Sequence, residues 1–263
     1  MSLLTDHWTP LTQEDPPMTR AQRRRARVPS LPASVLVLLL AAGCAGGDGG
    51  AGSGSRATAT LGAGAASTAS VEGCEPVPPL PSEYATFAPQ DAPTEPTGEQ
   101  LTAVLETTCG DVTVELEGAS APQTVASFEL LAGEDYWADS PCHRVTTEGI
   151  WVLQCGDPTG TGRGGPGYTY GIENAPPDGY YPRGTLAMAR SSDPESNGGQ
   201  FFIVYRDTEL PVEGGGYTVF GRVTDGMDII DRVAAAGVDG GGADGQPAQP
   251  ISLLDVRVTD EKA

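Results

Sequence analysis

The side chains best suited to chemistry crowd into one stretch, Cys142–Gly167, which reads CHRVTTEGIWVLQCGDPTGTGRGGPG. Arg144 supplies a permanently charged donor fork, Gln154 an amide that donates and accepts, and Trp151 an apolar plate. Together these types fit the floor of a peptide-binding groove, with hydrogen bonds for a main chain beside a surface for an apolar side chain. The run GTGRGGPG is no phosphate loop, because it lacks the closing Gly-Lys-Ser/Thr. The chain's two histidines are His7 and His143. Beside Arg144 within a strand, His143 is expected to pack or hydrogen-bond rather than serve a Ser-His-Asp triad. A zinc site from Cys142, His143 and Cys155 is a weaker alternative, so neither metal nor cofactor is expected.

These residues need a scaffold, and the flanking periodicities describe one. Leu101–Glu106 and Asp111–Leu116 alternate apolar and polar residues around a turn at Thr107–Gly110. Pro122 suits a helix start, with Val125, Phe128 and Leu131 as the inward stripe and Gly133 as the stop. His143–Thr146 and Ile150–Gln154 read as two strand arms. Further strands are expected at Gly184–Ala189, Gln200–Tyr205, Tyr217–Val223 and Ile251–Val258, with a second helix over Met227–Ala236. Seven or eight short strands and two helices predict a mainly β protein, a closed antiparallel barrel capped by the helices. Alternating βαβ units are absent, which excludes a Rossmann arrangement.

Charge narrows the partners. There are 35 acidic residues against 15 basic ones, a formal net charge of −20. Such a surface repels nucleic-acid phosphates and anionic lipid headgroups alike. Five arginines sit between Arg20 and Arg27, followed by an apolar run too short to span a bilayer and then small residues. That is the pattern of a secretory signal peptide, expected over residues 1–43, with Met18 as a reasonable true start. Leu40-Ala-Ala-Gly-Cys44 resembles the lipobox of bacterial lipoproteins, although Ala41 stands where that motif prefers leucine. Cys44 is then the lipid attachment site and the protein is anchored outside the cytoplasmic membrane. An ordinary signal would leave it secreted. Residues 44–98 read as a linker, Gly/Ala/Ser/Thr-rich to about Ser70 and proline-rich beyond, with Tyr84 and Phe87 either docked on the domain or simply part of the linker. The folded domain is expected over 99–263.

Several motifs in this domain, in order, resemble those of the cyclophilins: His143-Arg-Val145, Leu153-Gln-Cys-Gly-Asp157, Gly160-Thr-Gly-Arg-Gly-Gly165, Arg183-Gly-Thr-Leu-Ala-Met-Ala189, Ser196-Asn-Gly-Gly-Gln-Phe-Phe-Ile203 and Tyr217-Thr-Val-Phe-Gly-Arg222. The pattern CHR…LQCGD is similar to secreted cyclophilins of actinobacteria. The resemblance implies an eight-stranded barrel with a helix at each end and cofactor-free peptidyl-prolyl cis–trans isomerase activity on proline-containing polypeptides. It implies Arg144 and Gln154 as the catalytic pair. Trp151, Phe202 and Leu210 become walls of a proline slot, Val152 and Met188 nearby apolar contacts, and Gln200 and Tyr217 further groove residues. The backbone of Ala189–Arg190 becomes an edge that pairs with the substrate chain. Leu210 stands where an indole donor is associated with cyclosporin binding, so weak or no cyclosporin binding is expected. A non-catalytic proline-peptide binding module is the alternative function.

Four cysteines besides Cys44 suggest two disulfides. A hairpin turning at Glu148-Gly149 sets Cys142 opposite Cys155 and leaves Cys74 for Cys109. The same unbroken register puts Arg144 opposite Leu153, with Gln154 on the other face. Either a bulge reconciles the two or the Cys142–Cys155 bridge fails.

Overall fold

The computed structural model describes residues 73–96 and 100–260. The expected signal peptide, Cys44 and the linker up to Ser70 lie outside them. Among the described residues, no helix is long and apolar enough to cross a membrane.

Alternation places the first hairpin. In β1 (Gln100–Thr107) and β2 (Gly110–Glu117) every second residue is buried, and the two strands pair antiparallel from Gln100↔Glu117 to Thr107↔Gly110. The helix α1 (Pro122–Gly133) starts at the proline and buries Val125, Phe128 and Leu131. Its first turn is capped from a distance: the Glu173 carboxylate accepts the amides of Gln123 (3.0 Å) and Thr124 (2.8 Å), which satisfies orphan donors and complements the helix dipole. Then come β3 (Ser140–Pro141), β4 (Arg144–Thr146), β5 (Val152–Cys155), β6 (Tyr180–Tyr181), β7 (Thr185–Met188), β8 (Phe201–Val204), β9 (Thr208–Glu209) and β10 (Val219–Asp225). The helix α2 (Met227–Ala235), β11 (Asp244–Gly245) and β12 (Ser252–Asp260) complete the described domain.

Ten strands form one sheet in the order β11-β4-β5-β8-β7-β10-β2-β1-β12-β3, while β6 and β9 pair separately. The expected closed eight-stranded barrel is therefore corrected to a curled, ten-stranded half-barrel with two helices. Its two ends are two-residue strands, and no ladder joins β11 to β3 among the described residues. Pro141 in β3 has no amide to offer a further neighbour. β11 follows Gly240–Gly242, all at positive φ, where extended pairing cannot continue.

The concave side holds the main core, with Phe128, Tyr136, Trp137, Phe201 and Phe220 at its aromatic centre. Gly199 belongs to that packing: an added Cβ would fall 2.6 Å from the Tyr136 ring, and its carbonyl accepts the Trp137 indole N–H at 3.0 Å.

Both disulfides form, Cys74–Cys109 and Cys142–Cys155. The register conflict is resolved by an offset at His143. β4 pairs Arg144 with Gln154, while Cys142 lies outside the ladder and donates its N–H to Ile251 O (2.9 Å). One extra residue on that strand lets the bridge and the Arg144–Gln154 pairing coexist. With both sulfurs in the bridge, the zinc alternative fails, and no cluster able to hold a metal occurs among the described residues.

The proline-rich segment is docked along the domain. Beyond the Cys74 bridge, Glu75 N–H bonds Thr108 O and Phe87 N–H bonds Pro166 O, both at 2.7 Å. Tyr84 meets Tyr136 edge-on at 5.9 Å and Phe87 lies against Tyr168.

Candidate functional site

The site lies on the outer face of the strands whose inner face fills the core. In β5, Leu153 and Cys155 point to the core while Val152 and Gln154 point outward; in β8, Phe201 and Ile203 point inward and Phe202 and Val204 outward. β7 continues the pattern, with Ala187 outward between Leu186 and Met188. Period-two alternation thus gives one set of strands two faces. The outward residues form a second, smaller apolar cluster with Tyr181 and Leu210, against which Ile150, Ala189 and Tyr217 pack.

Over this cluster opens a cavity of about 500 Å³. Its apolar lining is Ile150, Val152, Phe202, Leu210 and Tyr217, and its polar side is formed by Arg144, Gln154 and Asp244. Phe202 and Tyr217 meet edge-on at 5.7 Å. Buried Tyr181 holds Tyr217 from below, its hydroxyl accepting the Tyr217 amide (2.8 Å) and donating to its carbonyl (3.1 Å).

The polar side is one connected chain of hydrogen bonds. Arg144 donates Nε–H to Asp244 Oδ1 and Nη2–H to Asp244 Oδ2, both at 2.7 Å. Its Nη1–H goes to Gln154 Oε1 at 3.1 Å. Gln154 Nε2 donates to Gln200 Oε1 at 3.0 Å, and Gln200 Nε2 to Gly164 O at 2.9 Å. The Asp244 bond raises the Arg144 guanidinium further above its ordinary value, outweighing partial burial. The same pairing holds the Asp244 carboxyl below the usual carboxylate range.

The loop that receives Gln200 is set by Asp157. This fully buried carboxylate accepts the amides of Thr159 (2.8 Å), Arg163 (3.0 Å) and Gly164 (3.1 Å) and the Thr159 hydroxyl (2.7 Å). Burial alone would raise its pKa, but these donors hold it below the ordinary value. Gly164 has no room for a side chain, since a Cβ would lie 2.1 Å from Asp157 Oδ1.

Arg144, Gln154, Val152, Ala189, Arg190, Phe202, Leu210 and Tyr217 all reach this cavity. Gln200 supports it through Gln154. Besides Gln200, which borders the adjoining cavity, two expected residues do not line it. Met188 has the core-facing parity and packs in the main cluster. Trp151 has the same parity as Leu153, so it lies off the groove, edge-on to Tyr205 and under the Arg206 guanidinium (4.5 Å); Ile150 takes the wall instead. The spacing carried that signal, because residues three apart in an extended chain face opposite ways. Asp244 and His143 also line the cavity and were not picked out for it. No local pattern marks Asp244, which lies 100 residues from Arg144 and arrives through the pairing Asp244↔Thr146.

Residues 102–258 match the family model described as cyclophilin type peptidyl-prolyl cis-trans isomerase/CLD. The chain is 43% identical over 178 residues to a protein of Mycobacterium tuberculosis named probable peptidyl-prolyl cis-trans isomerase B, a match covering 62% of this chain. It spans only 56% of that relative's length. A protein of Neurospora crassa named peptidyl-prolyl cis-trans isomerase-like 1 is 37% identical over 161 residues, covering 60% of this chain and 94% of its own. Among solved structures, a Cryptosporidium parvum cyclophilin type isomerase crystallised in the presence of the dipeptide Ala-Pro matches with a TM-score of 0.52 and 30% identity, over 61% of this chain and 99% of the other.

Proposed function

Because this chain belongs to the cyclophilin-type peptidyl-prolyl cis–trans isomerase family, we propose that it accelerates rotation about X–Pro bonds in polypeptides held along this groove. Amide rotation is opposed by about 18–20 kcal/mol of lost resonance, and X–Pro bonds interconvert over tens to hundreds of seconds unaided. A catalyst here needs no nucleophile. It must favour the twisted state, in which the prolyl nitrogen gains a lone pair able to accept a hydrogen bond.

The observation that carries this reading is Arg144 fixed at the edge of an apolar cavity. Of the five guanidinium N–H groups, two go to Asp244 and one to Gln154. One on Nη1 and one on Nη2 are left for substrate, aimed by partners that already hold the rest of the fork. Phe202, Leu210, Val152, Ile150 and Tyr217 offer the proline ring an apolar seat, and Gln154 Nε2, which gives one N–H to Gln200, keeps a second for a substrate carbonyl. Ala189 N–H is spent on Gln200 O (3.0 Å), so main-chain pairing with substrate would use the Ala189 carbonyl. Leu210 has no donor, which supports weak cyclosporin binding.

The proposed setting is outside the cytoplasmic membrane, anchored by lipid on Cys44. Two disulfides among the described residues support an oxidising compartment, and mass analysis of the mature N-terminus tests the lipid.

A cis–trans assay on short X–Pro peptides tests the activity. Arg144→Ala is expected to lower kcat/KM by about 100-fold or more, as for loss of a preorganised transition-state donor. Unchanged activity in that variant would sink the mechanism. An inactive intact protein that still binds the peptides would instead favour the binding module.

A further inference from the structure

A second cavity, of about 400 Å³, adjoins the first and shares Gln154, Gly162, Ala189 and Arg190 with it. Because these four residues border both, an extended polypeptide with its proline in the first cavity can carry a nearby residue over the second. The charged side chains lining this second cavity are Arg163 and Arg190, and no carboxylate lines it. That is against the grain of a chain with 35 acidic and 15 basic residues.

The pairing of the other arginines sharpens the contrast. Arg144, Arg183, Arg222, Arg232 and Arg257 all form ion pairs. Among the described residues, Arg163, Arg190 and Arg206 form none; Arg206 covers Trp151, and the remaining two face this cavity. Arg190 is held by neutral groups. Its Nε–H goes to Gly216 O (2.7 Å), its Nη1–H to Ser191 O (2.9 Å), and its guanidinium lies 4.9 Å from the centre of the Tyr217 ring. Carbonyls and a ring fix the direction of the fork without cancelling its charge. Arg163 projects from the loop that Asp157 pins through the Arg163 amide, while the Asp157 carboxylate is consumed by that loop's own amides and hydroxyls. Asp193, in the loop between Ser191 and Ser196, caps the Glu195 amide at 2.9 Å and does not line the cavity.

We propose that the second cavity selects polypeptides carrying a carboxylate side chain close to the proline, with Arg163 and Arg190 as the residues that recognise it. The inference rests on the prolyl-isomerase reading and adds its substrate class. Guanidinium forks match carboxylates in geometry as well as charge. Both arginines are solvent-accessible, so the gain is modest and sensitive to salt.

The test uses the full chain and fluorescent X–Pro peptides in which a single Glu is scanned along both sides of the proline, with Gln and Lys at the same positions as references. At low salt, one position near the proline is expected to give about 2- to 5-fold higher kcat/KM for Glu than for Gln, with Lys below Gln. The Glu/Gln ratio should fall toward one at high salt and in the double variant R163Q/R190Q. Expressing the result as a ratio removes any general loss caused by Arg190→Gln. Titration of the same peptides reads the Glu/Gln affinity ratio whether or not they are turned over. Turnover of Gln peptides with no Glu preference at any position would overturn the proposal and leave the isomerase reading intact. Absent turnover with a Glu preference in binding would do the reverse, and a preference that survives in the double variant would remove Arg163 and Arg190 from it.

Discussion

Arg144 does not act as an isolated charge. The two members of its pair with Asp244 are 37% and 54% exposed, so the bridge contributes little to stability, about 0–1 kcal/mol. Its consequence is geometric: both carboxylate oxygens are engaged, and the fork has one orientation over the cavity. Asp244→Ala is therefore expected to lower kcat about tenfold, roughly 1.4 kcal/mol of transition-state stabilisation, with KM changed little and the melting temperature nearly unmoved. Asp244→Asn keeps an acceptor for Nε–H and should fall between. Asp244→Glu should recover part of the loss, which a structural defect would not allow. Equal activity in all three variants would show that Gln154 alone holds the fork. Nothing near Asp244 in the chain announces this role; the partner is supplied by a two-residue strand.

At the scale of elements, one alternation builds both core and groove. β5, β7 and β8 put odd and even positions to different uses, so a substitution's effect is read from its parity. Ile150→Ala should cost about tenfold in kcat/KM by opening the wall of the slot. Trp151→Leu, one residue on, should leave kcat/KM within about twofold while lowering the melting temperature, because it packs on Tyr205 and Arg206. The reverse order in a peptide assay would put Trp151 back in the groove. The long elements were legible because their signals are local: Pro122 and Gly133 bound α1, and strict alternation marks β1 and β2. The two-residue strands β3, β6, β9 and β11 were not, since pairs such as Tyr181↔Thr208 exist only through distant partners. The Arg144–Gln154 pair was readable from motifs, but its agreement with the Cys142–Cys155 bridge required the offset at His143, which no residue type signals.

For the molecule as a whole, half-buried His143 and buried Asp157, both against the same loop, shape the response to acid. Burial lowers the His143 pKa below its ordinary value and Arg144 adds to that, against the opposing pull of Asp157. The unfolded chain takes up a proton near pH 6.5 that the folded state refuses, so stability should start to fall below about that pH and stop falling once the folded His143 pKa is passed. Asp157 has the opposite charge type and a depressed pKa. Its contribution is complete above the unfolded value near 3.9 and is lost as pH drops through the folded one. Thermal melts across pH should therefore decline in two stages, and His143→Gln should remove the upper stage alone. A single stage common to both proteins would contradict the assignment.

The bridge at Cys74 also fixes where the domain can be held. Tension applied at Gly73 enters through the Cys74–Cys109 covalent link at the β1–β2 turn. Glu75–Ala92, with its contacts from Phe87 to Pro166 and Tyr168, then lies off the load path. The groove loop is braced by a segment outside that direct covalent path, so a pull at that end is expected to leave the Arg144 fork undistorted.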